Sequence, residues 1–265
     1  MSNPGAERRI KLTLHYDGAD FFGWQVQPGV RTVQAELEQA LSRLADKPVT
    51  AVAAGRTDRG VHATGQVASA LMPGKWTAAA LQRALNAILP QDVWIADATE
   101  IGTTFHARYD AVSRSYYYRV GTSAEAWSPF QRRWCWPLRA APDLVLLNDA
   151  AQRFAGTHSF RAFAKSGQPE RGDQCTVSEA RWSRWSHGMQ FDVTANRFLH
   201  HMVRYMVGTM VDVGLRRRPA ADVDELLRGS GETSVPAPPQ GLFLAHVDYG
   251  EKVGLEALNT RTAST

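Results

Sequence analysis

Ala54-Gly55-Arg56-Thr57-Asp58-Arg59-Gly60-Val61-His62 packs more reactive residue types together than any other stretch of the chain. One Asp stands with Arg59 next to it and Arg56 two residues before it, between two glycines. Short β-tolerant stretches at 49–54 and 65–71 bracket it, so Asp58 is expected on a loop between strands. Loop tips carried by a rigid sheet are where reacting groups concentrate. A carboxylate must be ionised to attack, and its reference pKa of about 3.9 ensures that in water. Burial raises that value and a neighbouring guanidinium lowers it again. Arg on both sides is therefore what a buried, nucleophilic Asp requires. The same residues also suit a plain turn, in which Asp bonds its own backbone and Gly supplies positive φ.

Two further segments carry chemistry. Tyr116-Tyr117-Tyr118 offers ring faces and hydroxyls, with Tyr116 and Tyr118 on one face of a strand. Asn196 is a good cap for a helix over 197–213, which places Arg204 on it with His200 and His201 at i−4 and i−3. Phe198, Met202, Tyr205, Met206 and Thr209 give that helix a separate packing side. A buried Arg there needs a partner, because an unpaired buried charge is costly. Asp58 is the natural partner; the plainer reading is an Arg that snorkels to solvent. Adjacent His200 and His201 would point about 100° apart on a helix and have no evident third ligand, so no metal site is expected. Cys135 and Cys175 make neither a metal spacing nor a disulfide framework, and Cys135 between two Trp reads as a buried thiol.

The elements that must position these residues can be read from periodicity. Residues 10–15 alternate apolar and polar as a half-buried strand does. Thr32 opens a helix with Val33, Leu37, Leu41 and Leu44 on one face, and Thr77 caps a second, Ala78 to Leu89, that Pro90 stops. Val93 and Ile95 mark a closing strand. The order β-α-β-β-α-β is the ferredoxin-like pattern. The second half repeats it: a strand at 113–120, a helix begun by Pro142, a hairpin of 175–185 and 189–195, the 197–213 helix, a short helix from Pro219 to Gly229, and a strand at 242–249. The expected fold is α+β, two ferredoxin-like (βαββαβ-type) halves with a mostly antiparallel mixed sheet. Residues 1–110 form the half with the Asp loop, 111–250 the half that completes the site, and 251–265 a fraying tail. Arg161 to Asp173 reads as a mobile loop.

Composition narrows the class. The chain has 265 residues, 44% hydrophobic and 21% charged, which excludes disordered and collagen-like chains. Net charge is +4, and of 30 basic residues 25 are Arg. Arg suits phosphate and stacks on bases, so the bias fits a nucleic-acid partner; GC-rich coding, which raises Arg and Ala together, is the plainer reading of composition alone. Arg216-Arg217-Arg218, Arg132-Arg133, Arg161, Arg171 and Arg181 are candidate phosphate contacts. No window approaches 18 apolar residues, and Met1 to Arg9 lacks the apolar run of a signal peptide. A cytoplasmic, reduced protein without membrane contact is expected.

Four motifs, in order, resemble those of the TruA-type tRNA pseudouridine synthases. They are Gly55-Arg-Thr-Asp-Arg-Gly-Val-His62 with Gly65-Gln66-Val67; Phe105-His-Ala-Arg108 with Arg114-x-Tyr116-x-Tyr118; His200-His-Met-Val-Arg204 with Val207-Gly208; and Gly241-Leu-Phe-Leu244. They run from Gly55 to Leu244, within a resemblance that covers residues 10 to 249. Arg59 departs from the small residue or Lys common at that position in the family. The resemblance implies isomerisation of uridine to pseudouridine in the anticodon arm of tRNA, at positions 38, 39 and 40, without metal or other cofactor. It implies Asp58 as nucleophile on a flipped-out base and Arg204 as its catalytic partner. Arg56, Arg59, His62, Tyr116 and Leu244 are implied to bind substrate, and the family is homodimeric. Two other classes fit less well. A non-catalytic RNA-binding module would show an RNP-type aromatic run. A carboxylate-pair hydrolase would need a second acid near Asp58, where the motifs supply Arg.

Overall fold

Strict alternation along the first strand, β1 (Glu7–Tyr16), puts Ile10, Leu12, Leu14 and Tyr16 on one buried face. The computed structural model describes residues 6–165 and 172–250, and its fold is α+β with mostly antiparallel strands. The chain divides into two compact units: Met1–Val112 with the chain from Leu244 onward, and Ser113–Phe243. The last strand thus groups with the first unit, whereas the sequence reading assigned it to the second half.

In the first unit, β1 is followed by α1 (Val33–Ala45), β2 (Val52–Ala53), β3 (His62–Pro73), α2 (Ala78–Ile88) and β4 (Val93–Ile101). Thr32 and Thr77 cap the two helices as expected, each accepting from the N–H three residues on. β1 lies between β3 and β4, antiparallel to both. β2 pairs with β3 at Ser69 and Ala68 only, and the residues of the final strand, β10 (Leu242–Asp248), from Leu244 on adjoin β3 as well. Val33, Leu37, Leu41, Leu81 and Leu85 bring the helices onto the buried face. Truncating one such Leu typically costs about 2–5 kcal/mol, so this core is a stiff base for the loops it carries. The β1–β3 register slips between Leu14 and Tyr16, where β3 holds one residue more than β1. Such a bulge bends the strand and re-aims nearby side chains. It lies beside Tyr16, whose hydroxyl bonds Thr57 in the Asp58 loop.

The second unit is built on β5 (Ser113–Gly121), β6 (Trp136–Pro137), α3 (Leu144–Gln152), β7 (Gly156–Ser159), β8 (Gln174–Trp185), β9 (Gly188–Ala195), α4 (Met202–Gly214) and α5 (Asp222–Leu227). Its strands run β5-β9-β8-β7, with β6 parallel on the edge of β5. Buried Tyr118, Phe191, Val193 and Trp182 share a face with α3 and α4 against it.

Two sequence expectations need correction here. Asp143, not Pro142, caps α3, accepting from Val145 and Leu146 N–H. Asn196 does not cap a helix: its N–H donates to Thr176 O and its Oδ1 accepts from Thr176 N–H, which extends the sheet. α4 therefore starts at Met202, with His201 as its left-handed N-cap at φ 65°, and His200 lies before the helix. The expected tail 251–265 and the 166–171 part of the Arg161–Asp173 loop, with Arg171, lie outside the described residues; Arg161–Phe163 forms a 3₁₀ turn. Cys135 and Cys175 are buried, and burial pushes both thiols up to about 11, as inert structural cysteines require. No helix among the described residues is long and apolar enough to cross a membrane.

Candidate active site

Residues 54–61 leave β2 and re-enter the sheet at β3, so both ends of the Asp58 loop are pinned by one strand pair. Three buried side chains brace it from below. Tyr16 and Thr57 join hydroxyls at 2.8 Å, and Gln66 Nε2 donates to Gly55 O at 2.8 Å and reaches Tyr16 Oη at 3.4 Å. Burial holds the Tyr16 phenol well above its ordinary range, so it stays a neutral donor and acceptor. A second loop clasps the first from the side: Trp24 N–H donates to Thr57 O and Gly60 N–H to Phe21 O. Gly23 makes that approach possible. At φ +90°, a Cβ there would sit 2.6 Å from Thr57 O.

Asp58 emerges half-buried from this frame, Thr57 is 7% exposed, and Arg56 and Arg59 are exposed. Among the described residues no carboxylate pairs with Arg56 or Arg59, so both guanidiniums keep their charge at the loop surface. His62 is 1% exposed, inside the fold. Its Nδ1 accepts from Gly18 N–H at 3.0 Å and lies 3.1 Å from Asp17 Oδ1, so the ring holds the turn that leaves β1. Gly18 has no room for a side chain, since a Cβ would meet Val61 O at 1.9 Å. Leu244, in the same unit, is fully buried.

In the second unit the β5 aromatic run divides as its pleat requires. Tyr116 and Tyr118 point to the buried face, and Tyr117 stacks on Phe243 on the other, 4.6 Å between centroids. Tyr118 is fully buried and donates its hydroxyl to Pro238 O at 2.7 Å, a structural role. Tyr116 is 9% exposed and meets Phe198 edge-on at 5.0 Å. Arg204, on α4, is half-buried: its Nε donates to Ala237 O at 2.7 Å while Ala237 N–H donates to Arg204 O at 2.9 Å. This double latch fixes the head of the side chain. The Arg216–Arg218 run is neutralised locally, each Arg pairing with an acid: Asp143, Asp212 and Asp222 in turn. Arg181 pairs likewise with Glu179. Four of the expected phosphate contacts are thus already engaged.

So Asp58, Arg56, Arg59, His62 and Leu244 belong to one unit, with only the first three presented on a loop surface, and Tyr116 and Arg204 belong to the other. The sequence reading missed Tyr16, the Phe21–Trp24 clasp and Ala237. Four consecutive residues, Phe-Phe-Gly-Trp, in a stretch without periodicity were a usable signal, because aromatics in a loop must cover something.

A family model described as tRNA pseudouridine synthase matches residues 13–110 and 150–250, most of the chain. The chain belongs to the tRNA pseudouridine synthase family. Curated relatives agree over about nine-tenths of the chain. The tRNA pseudouridine synthase A of Moorella thermoacetica is 41% identical over 244 residues, covering 91% of this chain and 99% of that protein. Those of Limosilactobacillus fermentum and Maridesulfovibrio salexigens are 39% and 38% identical, covering 91% and 92% of this chain and 96% and 91% of theirs. Membership makes this chain an isomerase of the pseudouridine synthase family, and its Asp58 loop presents a half-buried carboxylate on a braced turn beside exposed Arg56 and Arg59.

Proposed function

We propose that this chain isomerises uridine to pseudouridine at positions 38, 39 and 40 in the anticodon arm of tRNA, with Asp58 as the nucleophile. The observation that carries the reading is a half-buried carboxylate on a loop braced by Tyr16, Thr57 and Gln66, between two cations that have no acidic partner among the described residues, in a member of this family. The reaction breaks the bond from the base nitrogen to the sugar, turns the uracil, and joins carbon 5 to the same sugar carbon; carbon 5 gives its proton to solvent and the freed base nitrogen takes one up, so the formula is unchanged. No cofactor is required in this scheme.

A base held in a stem must first leave its stack, at a cost of a few kcal/mol. Arg56, planar and charged, fills the vacated position and contacts phosphate. Arg59 adds positive charge beside the reacting sugar. Tyr116 packs against the extruded uracil, where aromatic stacking contributes about 1–3 kcal/mol, and Leu244 forms its apolar wall. His62 acts through the turn it holds. Arg204 compensates the Asp58 carboxylate. The reading takes the two units as ferredoxin-like halves, with the RNA held in a cleft between them and the protein acting as a homodimer.

Incubation with tRNA tritiated at uridine carbon 5, in the presence of a chelator and without nucleotide, should release tritium. Retention of the label with tight binding would instead identify a non-catalytic RNA-binding protein. Light scattering at micromolar concentration should give the mass of two chains; a single-chain mass refutes the dimer.

A further inference from the structure

Two Arg–Phe stacks lie on successive residues of the same loop, and they differ in one respect. Arg31 covers Phe21 at 4.2 Å from its centroid, Phe21 is 1% exposed, and Arg31 is neutralised by Glu36 and a bidentate Asp92. That stack is core. Arg59 covers Phe22 at 4.0 Å, both are exposed, Phe22 at 39%, and among the described residues no acid pairs with Arg59. The second stack therefore keeps an aromatic surface and a full charge in water, immediately beside Asp58.

Its position is fixed by backbone, not by chance contact of two side chains. Gly60 N–H donates to Phe21 O, Trp24 N–H to Thr57 O, and Phe22 N–H to Arg31 O. Phe21 and Trp24, on either side, point into the core at 1% and 2% exposure, which leaves Phe22 facing out. A Phe ring loses little conformational freedom on binding, and a guanidinium lying on it is pre-ordered, so the pair is a stiff, flat, cationic surface. Nucleobases stack on such surfaces whatever their identity, and the charge suits the phosphate joining them.

We propose that Phe22 and Arg59 form a stacking platform for a nucleotide adjoining the flipped uridine, which makes Phe22 a substrate-binding residue of this enzyme. The proposal rests on the tRNA-isomerase reading above and adds to it Phe22, a residue outside the motifs that define that reading.

The test uses the whole chain and an anticodon stem-loop RNA carrying tritiated uridine at the target and 2-aminopurine at the preceding or following nucleotide. For Phe22→Ala the KM should rise about tenfold, the lower-middle of what one lost base stack is worth, and by more than kcat falls. Phe22→Trp should restore it, and Arg59→Gln should raise KM with a weaker salt dependence. At one of the two positions, 2-aminopurine emission should be quenched by the unaltered protein and recover severalfold with Phe22→Ala. Unchanged KM and unchanged emission at both positions, with tritium still released by the unaltered protein, would overturn the platform alone and leave Arg59 as a mere cover for an exposed ring. No tritium release from the unaltered protein would overturn the platform together with the functional reading.

Discussion

Asp58→Asn should abolish turnover, lowering the single-turnover rate of tritium release by on the order of 10³-fold or more, while tRNA affinity stays within a few-fold. The substitution is nearly isosteric, and the loop is braced by groups besides the carboxylate. Its braces are Thr57 to Tyr16, Gly55 O to Gln66 and Thr57 O to Trp24 N–H, none of which involves the Asp58 side chain. What the change removes is the negative oxygen. The amide oxygen of Asn is a poor nucleophile at neutral pH and no general base stands ready to activate it in this loop. Affinity should persist because the phosphate backbone supplies most of it, through cations such as Arg56 and Arg59 that the substitution leaves in place. Rapid-quench tritium release and filter binding on the same preparation read the two quantities separately. Appreciable pseudouridine formation by the variant would remove Asp58 from the nucleophile's role, and a parallel loss of binding would reduce it to a structural residue.

The dependence on loop shape explains which parts of the site were legible in the sequence. Local signals were read correctly where one interaction sets the outcome: Thr32 and Thr77 as caps, alternation along β1, the face shared by Tyr116 and Tyr118. They misled where a distant partner competed. Asn196 has every quality of an N-cap, but Thr176 offers it a paired donor and acceptor twenty residues away, so the chain stays extended and α4 begins at Met202. Tyr16, Thr57 and Gln66 form a bracing network that joins β1 and β3 to the loop, beside a slip in the β1–β3 register. No spacing along the sequence encodes that slip. The positive surface also proved more selective than an Arg count implies. Arg181 and Arg216–Arg218 are held by acids, whereas Arg56 and Arg59 are not. Charge available to phosphate is therefore a tertiary property.

Arg204→Ala should damage the protein far more than Arg216→Ala, although both remove one arginine, from the first turn of α4 and from just past its end. Arg216 is 73% exposed and pairs with Asp143 at the surface, a contact worth roughly 0–1 kcal/mol. Arg204 bonds Ala237 O in a segment where Ala237 itself is fully buried, so its loss strands a carbonyl from which water is excluded. Stranding a buried acceptor costs about 1–3 kcal/mol, or a fall of roughly 3–10 °C in melting temperature for a chain of this size. Thermal melts of the two variants against the unaltered protein measure that part. Activity then separates structure from catalysis. Assayed well below the lower melting temperature, a purely structural Arg204 would leave the surviving folded protein at near-normal kcat. In the proposed mechanism it compensates the Asp58 carboxylate, so kcat should fall by on the order of 10²-fold while Arg216→Ala stays within about twofold. Arg204→Lys restores charge without the planar fork that holds Ala237 O; it should recover part of kcat and little of the melting temperature. Equal, small effects of Arg204→Ala and Arg216→Ala on both measurements would end the case for Arg204 as more than a surface cation.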